Sequence, residues 1–149
     1  MIILKVVLQR VDSASVRIDG KTVGKIGKGL LLLIGVAETD TRGDVEFVAE
    51  KCMNLRIFQD ENGKMNRSLL EEKGEILAVS QFTLLGDTRK GRRPSFTRAA
   101  SAEKGEEYYK YFIECLQKSE SHVETGLFGA MMDVELVNSG PVTLIVESK

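Results

Sequence analysis

Ser13-Ala14-Ser15-Val16-Arg17-Ile18-Asp19-Gly20, followed by Lys21-Thr22-Val23-Gly24-Lys25-Ile26, decides the fold. Ala14, Val16 and Ile18 alternate with Ser13, Ser15, Arg17 and Asp19, the period of a half-buried strand. Asp19-Gly20 is a tight-hairpin pair, because both residues tolerate positive φ, so residues 23–26 become the return strand. Gly27-Lys28-Gly29 turns again into Leu30-Leu31-Leu32-Leu33-Ile34-Gly35-Val36. That run has no polar alternation and predicts a strand buried on both faces. Upstream, residues 2–8 form a short, nearly continuous apolar run.

Downstream the period changes. Thr41 caps a helix with Asp44 in its first turn, and Val45, Val48, Ala49 and Cys52 fall on one helical stripe. Residues 55–58 read as a strand entering the Asn62-Gly63 turn, and residues 75–85 as one long apolar strand. Ser101 caps a second helix, in which Tyr109, Phe112, Ile113 and Leu116 repeat the helical spacing. Met132, Val134 and Leu136 alternate with Asp133 and Glu135. Asn138-Ser139-Gly140-Pro141 reads as a turn, and residues 142–146 as the last strand. The expected class is α+β: a curved, largely antiparallel sheet with helices on one side. No repeat, low-complexity segment or linker divides the chain, so residues 1–149 are expected to form one domain.

Composition removes several classes. A chain of 149 residues with 42% hydrophobic and 29% charged residues can build a core without staples. Lys plus Arg is 21 and Asp plus Glu is 22, a net charge of -1, so bulk positive charge is not how it would hold nucleic acid. Cys52 and Cys115 are too few for a disulfide scaffold and too far apart for a clip. With one histidine, a structural zinc site is not expected. The N-terminal run is broken by Lys5 and has no cleavage signature, and no stretch approaches a membrane span. The expected location is the cytosol, where thiols stay reduced.

Chemistry has three candidate homes. Ser80-Gln81-Phe82-Thr83-Leu84 ends an apolar stretch with polar groups, which either line a mouth or satisfy neighbouring backbone. As strand residues, Gln81 and Thr83 would share one face, and Ser80 and Phe82 the other. Residues 88–98 hold Arg89, Lys90, Arg92, Arg93 and Arg98, five basic residues in a near-neutral chain. Gly91 and Pro94 make that stretch a loop, either solvated or phosphate-contacting. Asn138-Ser139-Gly140-Pro141-Val142-Thr143 is an ordinary turn, or a cis Gly-Pro whose successive carbonyls point one way beside a residue with no Cβ. His122 reads as a surface residue without a sequence-adjacent partner. Cys52 and Cys115 read as inert core thiols. Phe128-Gly129-Ala130-Met131-Met132 is core, or a surface for stacking on a flat ring.

Ser80-Gln81-Phe82-Thr83-Leu84, Gly91-Arg92-Arg93-Pro94-Ser95-Phe96 and Asn138-Ser139-Gly140-Pro141-Val142-Thr143 together resemble the D-aminoacyl-tRNA deacylases. Gln9-Arg10-Val11, Asn62-Gly63-Lys64-Met65-Asn66 and Thr125-Gly126-Leu127-Phe128-Gly129-Ala130-Met131-Met132 are similar to that family too. The resemblance runs in order along the chain, with no departure in the two principal motifs. It implies a three-layer β/β/α fold with barrel-like sheets and two main helices, as a homodimer with the active site at the subunit interface. The implied reaction is hydrolysis of the ester joining a D-amino acid to the terminal adenosine of tRNA. By resemblance, Gly140-Pro141 is a cis motif reaching the partner's site beside Ser80, Gln81, Phe82 and Thr83, and Arg10 holds its orientation. Phe128, Gly129, Ala130 and Met132 would meet the adenine, and Arg92 or Arg93 the tRNA. No metal, no cofactor and no membrane contact is expected.

The implied selectivity has a physical form. D- and L-residues exchange a hydrogen and a side chain at one carbon. Rigid backbone carbonyls at the position of an L side chain reject it by clash and by desolvation; glycine, with no Cβ, would be accepted. Thr83 as nucleophile needs a base, and the sequence shows none nearby. Water helped by the neighbouring sugar hydroxyl, with N–H groups near Phe82 and Thr83 holding the oxyanion, needs none. Two rivals remain at this point: a non-catalytic RNA-binding module using the Arg-rich loop, and a thiol or serine hydrolase relying on Cys52, Cys115 or His122.

Overall fold

The structure is a computed structural model that describes residues 3–148; Ile2, at the head of the first apolar run, lies outside the described residues. The hairpin predicted at Asp19-Gly20 is present, with φ of 50° and 80° at the two residues. It joins β1 (Lys5–Ile18) to β2 (Lys21–Ile26). The early apolar run from Lys5 onward and the alternating stretch up to Ile18 belong to one strand of 14 residues. Its first half pairs antiparallel with β3 (Gly29–Gly35), its second half with β2, and its opposite edge with a 15-residue strand, β8 (Asp133–Glu147). Beyond β3 the sheet turns parallel, through β6 (Glu75–Ser80) to β7 (Val123–Thr125). β4 (Phe58–Gln59) and β5 (Met65–Arg67) form a separate small hairpin around Asn62-Gly63.

The large sheet curls until its outer strands meet. At Gly24 on β2 a Cβ would lie 2.7 Å from the Thr125 carbonyl oxygen on β7. The Lys25 N–H donates to the Glu124 carboxylate at 3.4 Å. The result is a nearly closed curved sheet in a mixed α+β fold.

Among the described residues three α-helices accompany it: α1 (Arg42–Asn54), the one-turn α2 (Leu69–Glu72) and α3 (Ala102–Gln117). Thr41 and Asp44 close a reciprocal capping box on α1, and Ser101 caps α3 through the Lys104 N–H. Period two divides β3 between two cores. Leu30, Leu32 and Ile34 pack with Val45, Val48, Phe112 and Leu116 of the helices. Leu31 points the other way, into a cluster of Val11, Ala14, Val16, Ile26, Leu77 and Val79 that contains no helix residue. The double burial predicted for this run is therefore real. Among the described residues no helix is long and apolar enough to cross a membrane.

The structure departs from the sequence reading at four places. Residues 75–85 are not one strand: β6 stops at Ser80, and Phe82–Leu85 is a 3-10 helix closed by the Gly86 N–H on the Thr83 carbonyl at 3.0 Å. Apolarity alone does not distinguish a buried strand from a buried helical turn. Residues 138–142 do not reverse the chain. β1 pairs Gln9 with Thr143 and Val11 with Asn138, so residues 139–142 are thrown out of a continuing strand opposite Arg10. Residues 55–58 contribute only Phe58 to a strand, because Leu55 terminates α1. β7 and α2 are too short to carry a periodic signal.

Candidate active site

β6 delivers its polar end to a cleft of about 600 Å³, lined among others by Ser80, Gln81, Phe82, Phe96, Phe128 and Met132. The Gln81 N–H still donates to the Ile34 carbonyl at 2.8 Å, one more rung beyond the strand, before the chain tightens into the 3-10 turn. The first turn of any helix leaves its leading N–H groups without internal acceptors, and here those groups belong to Phe82 and Thr83. The Gln81 side-chain amide donates to the Thr83 hydroxyl. The Phe82 ring is 55% exposed and meets Phe96 edge-on, centroids 5.3 Å apart.

The opposite wall is α3 and the segment after β7. Ser101, Ala102 and Gly105 line it from the helix, and Phe128, Gly129, Ala130, Met131 and Met132 from the segment. Tyr109 supports Phe128, with ring centroids 6.0 Å apart, and its hydroxyl donates to the Ala78 carbonyl at 2.7 Å. Burial pushes this phenol up to about 12, so it stays a neutral donor.

The ejected segment is held from beneath. The Gly140-Pro141 peptide is cis, and Gly140 has φ of 133°. Arg10 is buried, and its Nε donates to the Ser139 carbonyl at 3.0 Å and its Nη1 to the Ile57 carbonyl at 2.6 Å. The Asn138 amide closes the loop from within. Its Oδ1 accepts the Val142 N–H at 2.7 Å, and its Nδ2 donates to the Val142 carbonyl at 3.1 Å and to Thr143 Oγ1 at 3.0 Å. Gly140, Pro141, Arg10 and Thr83 are not among the residues lining the cleft of this chain.

Beside the cleft, residues 87–95 form a loop closed by two backbone hydrogen bonds between Asp87 and Ser95, at 2.7 and 2.9 Å. Asp87 engages Arg89 through both carboxylate oxygens and Arg98 at 3.6 Å. The Arg89 hydrogen bonds hold its carboxyl well below the usual carboxylate range. Lys90, Arg92 and Arg93 are exposed, and none of the ion pairs among the described residues involves them. The rival nucleophiles lie elsewhere. Cys52 is in the helical core, where burial pushes its thiol up to about 12, and burial also raises Cys115; neither is a poised thiolate. His122 pairs with Glu124 at 3.0 Å, and none of the three lines the cleft. No group of three His, Cys, Asp or Glu residues among those described is placed to hold a metal ion.

Ser80, Gln81 and Phe82 line one cleft with Phe128, Gly129, Ala130 and Met132. Sequence reasoning missed Phe96, Ser101, Ala102, Gly105 and Met131 as lining. Gly105 carried a signal, as a glycine inside an apolar helical pattern.

A family model described as D-Tyr-tRNA(Tyr) deacylase matches residues 7–147, and the chain belongs to that family. It is 60% identical to a D-aminoacyl-tRNA deacylase of Bacillus cytotoxicus over 146 residues, covering 98% of this chain and 100% of that protein. A D-aminoacyl-tRNA deacylase of Bacillus mycoides is 58% identical with the same coverage. Among solved structures, a c-Myc DNA unwinding element binding protein superposes with a TM-score of 0.91 at 42% identity, covering 97% of this chain and 99% of that one. A probable eukaryotic D-amino acid tRNA deacylase superposes with a TM-score of 0.86 at 19% identity, over 97% of this chain and 98% of that one, a likeness of fold.

Proposed function

We propose that this protein hydrolyses the ester between a D-amino acid, or glycine, and the 3'-terminal adenosine of tRNA, and leaves L-aminoacyl-tRNA intact. The observation that carries the reading is the 60% identity across the whole length of a D-aminoacyl-tRNA deacylase. In this reading, residues 1–149 act as one cytosolic domain with a three-layer β/β/α arrangement, paired as a homodimer. Gly140 and Pro141 serve the partner's cleft rather than their own, which accounts for their absence from the lining of one chain.

The aminoacyl group sits beside Ser80, Gln81, Phe82 and Thr83. The terminal adenine meets Phe128, Gly129, Ala130 and Met132, and Arg92 and Arg93 contact the tRNA. Attack by water raises negative charge on the carbonyl oxygen, and the leading N–H groups of Phe82 and Thr83 supply donors for it. Thr83 is not the nucleophile in this scheme, because its hydroxyl is partnered by the Gln81 amide, and an amide is no base. The adjacent sugar hydroxyl assists the water instead. Selection by handedness comes from the carbonyls around Gly140 and Pro141, positioned by Arg10 through Ser139.

Turnover separates this reading from that of an RNA-binding module. Substoichiometric purified protein is expected to release the D-amino acid from charged tRNA over many cycles. Salt-sensitive binding without release would support the module. Glycyl-tRNA left intact under the same conditions would contradict a filter that reads only the Cβ position.

A further inference from the structure

Gly86 closes the 3-10 turn Phe82–Leu85, its N–H donating to the Thr83 carbonyl at 3.0 Å. Its φ is -64°, open to any residue, so the backbone does not call for glycine there. Its neighbours do. A Cβ on Gly86 would lie 2.9 Å from Phe96 Cε1 and 3.0 Å from the Thr83 carbonyl oxygen, so the Phe96 ring lies against bare backbone at the end of the turn. From that seat Phe96 reaches the head of the same turn and meets the Phe82 ring edge-on, centroids 5.3 Å apart at 69°. The seat is fixed from the other side as well. Ser95 exchanges two backbone hydrogen bonds with Asp87, and the Phe96 carbonyl accepts the Ala99 N–H at 3.1 Å. Turn, Gly86, the Asp87–Ser95 bridge and Phe96 form a closed unit that ends back on Phe82. Burial does not account for this pair of rings. Phe82 is 55% and Phe96 38% exposed, and neither belongs to either buried cluster. Rings that stay half in water contribute little to folding; what their edge-on contact supplies is a fixed direction for Phe82.

We propose that Phe96 is a positioning residue for the hydrolytic step: it holds the Phe82 ring, and with it the leading N–H groups of the turn, in the orientation that meets the developing oxyanion. The assignment rests on the deacylase reading and deepens it at the reacting carbonyl. Phe96 lines the cleft, but its effect on the reaction passes through Phe82. Donors that are slightly misplaced leave binding nearly intact and slow the chemical step, so the loss of Phe96 falls on kcat.

The test is Phe96→Leu in the full chain, with Phe96→Tyr as a variant that keeps the ring and Phe82→Leu as a background that removes its partner. For Phe96→Leu, kcat on D-aminoacyl-tRNA is expected to fall about tenfold or more, with KM changed by less than about twofold. Its Tm should move by less than about 2 °C. Phe96→Tyr should keep kcat within about threefold of the parent, because the edge-on contact survives. In the Phe82→Leu background, adding Phe96→Leu should lower kcat by less than about twofold further. A raised KM with kcat unchanged overturns the assignment and makes Phe96 a substrate contact. So does an undiminished loss in the Phe82→Leu background, or a fall in Tm with kcat lost in Phe96→Leu and Phe96→Tyr alike. A parent protein that releases no D-amino acid overturns the deacylase reading and this assignment together. A parent that turns over beside an equally active Phe96→Leu variant overturns the assignment alone.

Discussion

Arg10 is the residue on which the proposed filter depends. It stands in β1, opposite the point where β8 ejects residues 139–142, and its guanidinium supplies donors to two carbonyls that no strand partner reaches. Arg10→Ala leaves the buried Ile57 carbonyl and the half-buried Ser139 carbonyl without that donor. The expected loss is about 2–4 kcal/mol of stability by denaturant unfolding, on the usual penalty for an unsatisfied buried polar group. L-aminoacyl-tRNA should also begin to be cleaved; a loss below about 1 kcal/mol would mean water replaces the guanidinium freely. Gly140 is constrained differently. At φ of 133°, a Cβ would sit 2.9 Å from both Arg10 Nη2 and Val142 Cγ2. Gly140→Ala is therefore expected to displace the carbonyls and to lower the ratio of D to L cleavage more than it lowers Tm. Thr83→Ala tests the chemistry itself. Substantial hydrolysis should remain, and a trapped acyl ester on Thr83 in the parent protein would refute water as the attacking group.

Between single residues and the whole, the elements show which features a sequence makes legible. The β1–β2 hairpin and β3 were readable because alternation, a turn pair and an unbroken apolar run each have one physical meaning at that length. The 3-10 turn Phe82–Leu85 was not. Its residues continue the apolarity of β6, and only the tertiary path bends them, so Gln81 and Thr83 meet through a hydrogen bond at a 3-10 turn and not as neighbours on the face of a strand. The ejected segment was recognised as irregular, but its direction was hidden, because a turn and a wide bulge share the same Gly and Pro. The loop of residues 87–95 was legible as basic and not as sorted: Asp87 ties Arg89 and Arg98 back. Arg92 and Arg93 stay free of such pairing. Replacing either by alanine is expected to weaken tRNA binding evenly across tRNA sequences. The salt slope should fall by about 0.7 for each single-strand phosphate that the arginine no longer neutralises. An unchanged slope would remove that loop from the tRNA path.

At the scale of the molecule, acid stability follows from the carboxylates. Hydrogen bonds from backbone and side-chain groups lower Asp60, Glu71 and Asp87. The stability they contribute is present above about pH 4 and is lost as pH falls through their depressed values. Asp40 is opposite in sign, because burial raises it despite the Leu4 and Ala37 N–H groups it accepts. Its contribution is greatest below the ordinary carboxylate range and declines as pH rises through the raised value. Asp87→Asn should accordingly be less stable than the parent near neutrality and converge with it in acid; a gap independent of pH would contradict the pairing. The same scale carries the central claim. In the proposed reading, the loop ejected from the longest strand acts with a cleft at the end of β6 to sort charged tRNA by the handedness of one carbon. The most direct measurement is kcat/KM for a matched pair, the same tRNA carrying the D- and the L-form of one amino acid. Rapid cleavage of the D-ester beside an intact L-ester is the predicted result. Equal cleavage of the two, or release of neither, would contradict the account.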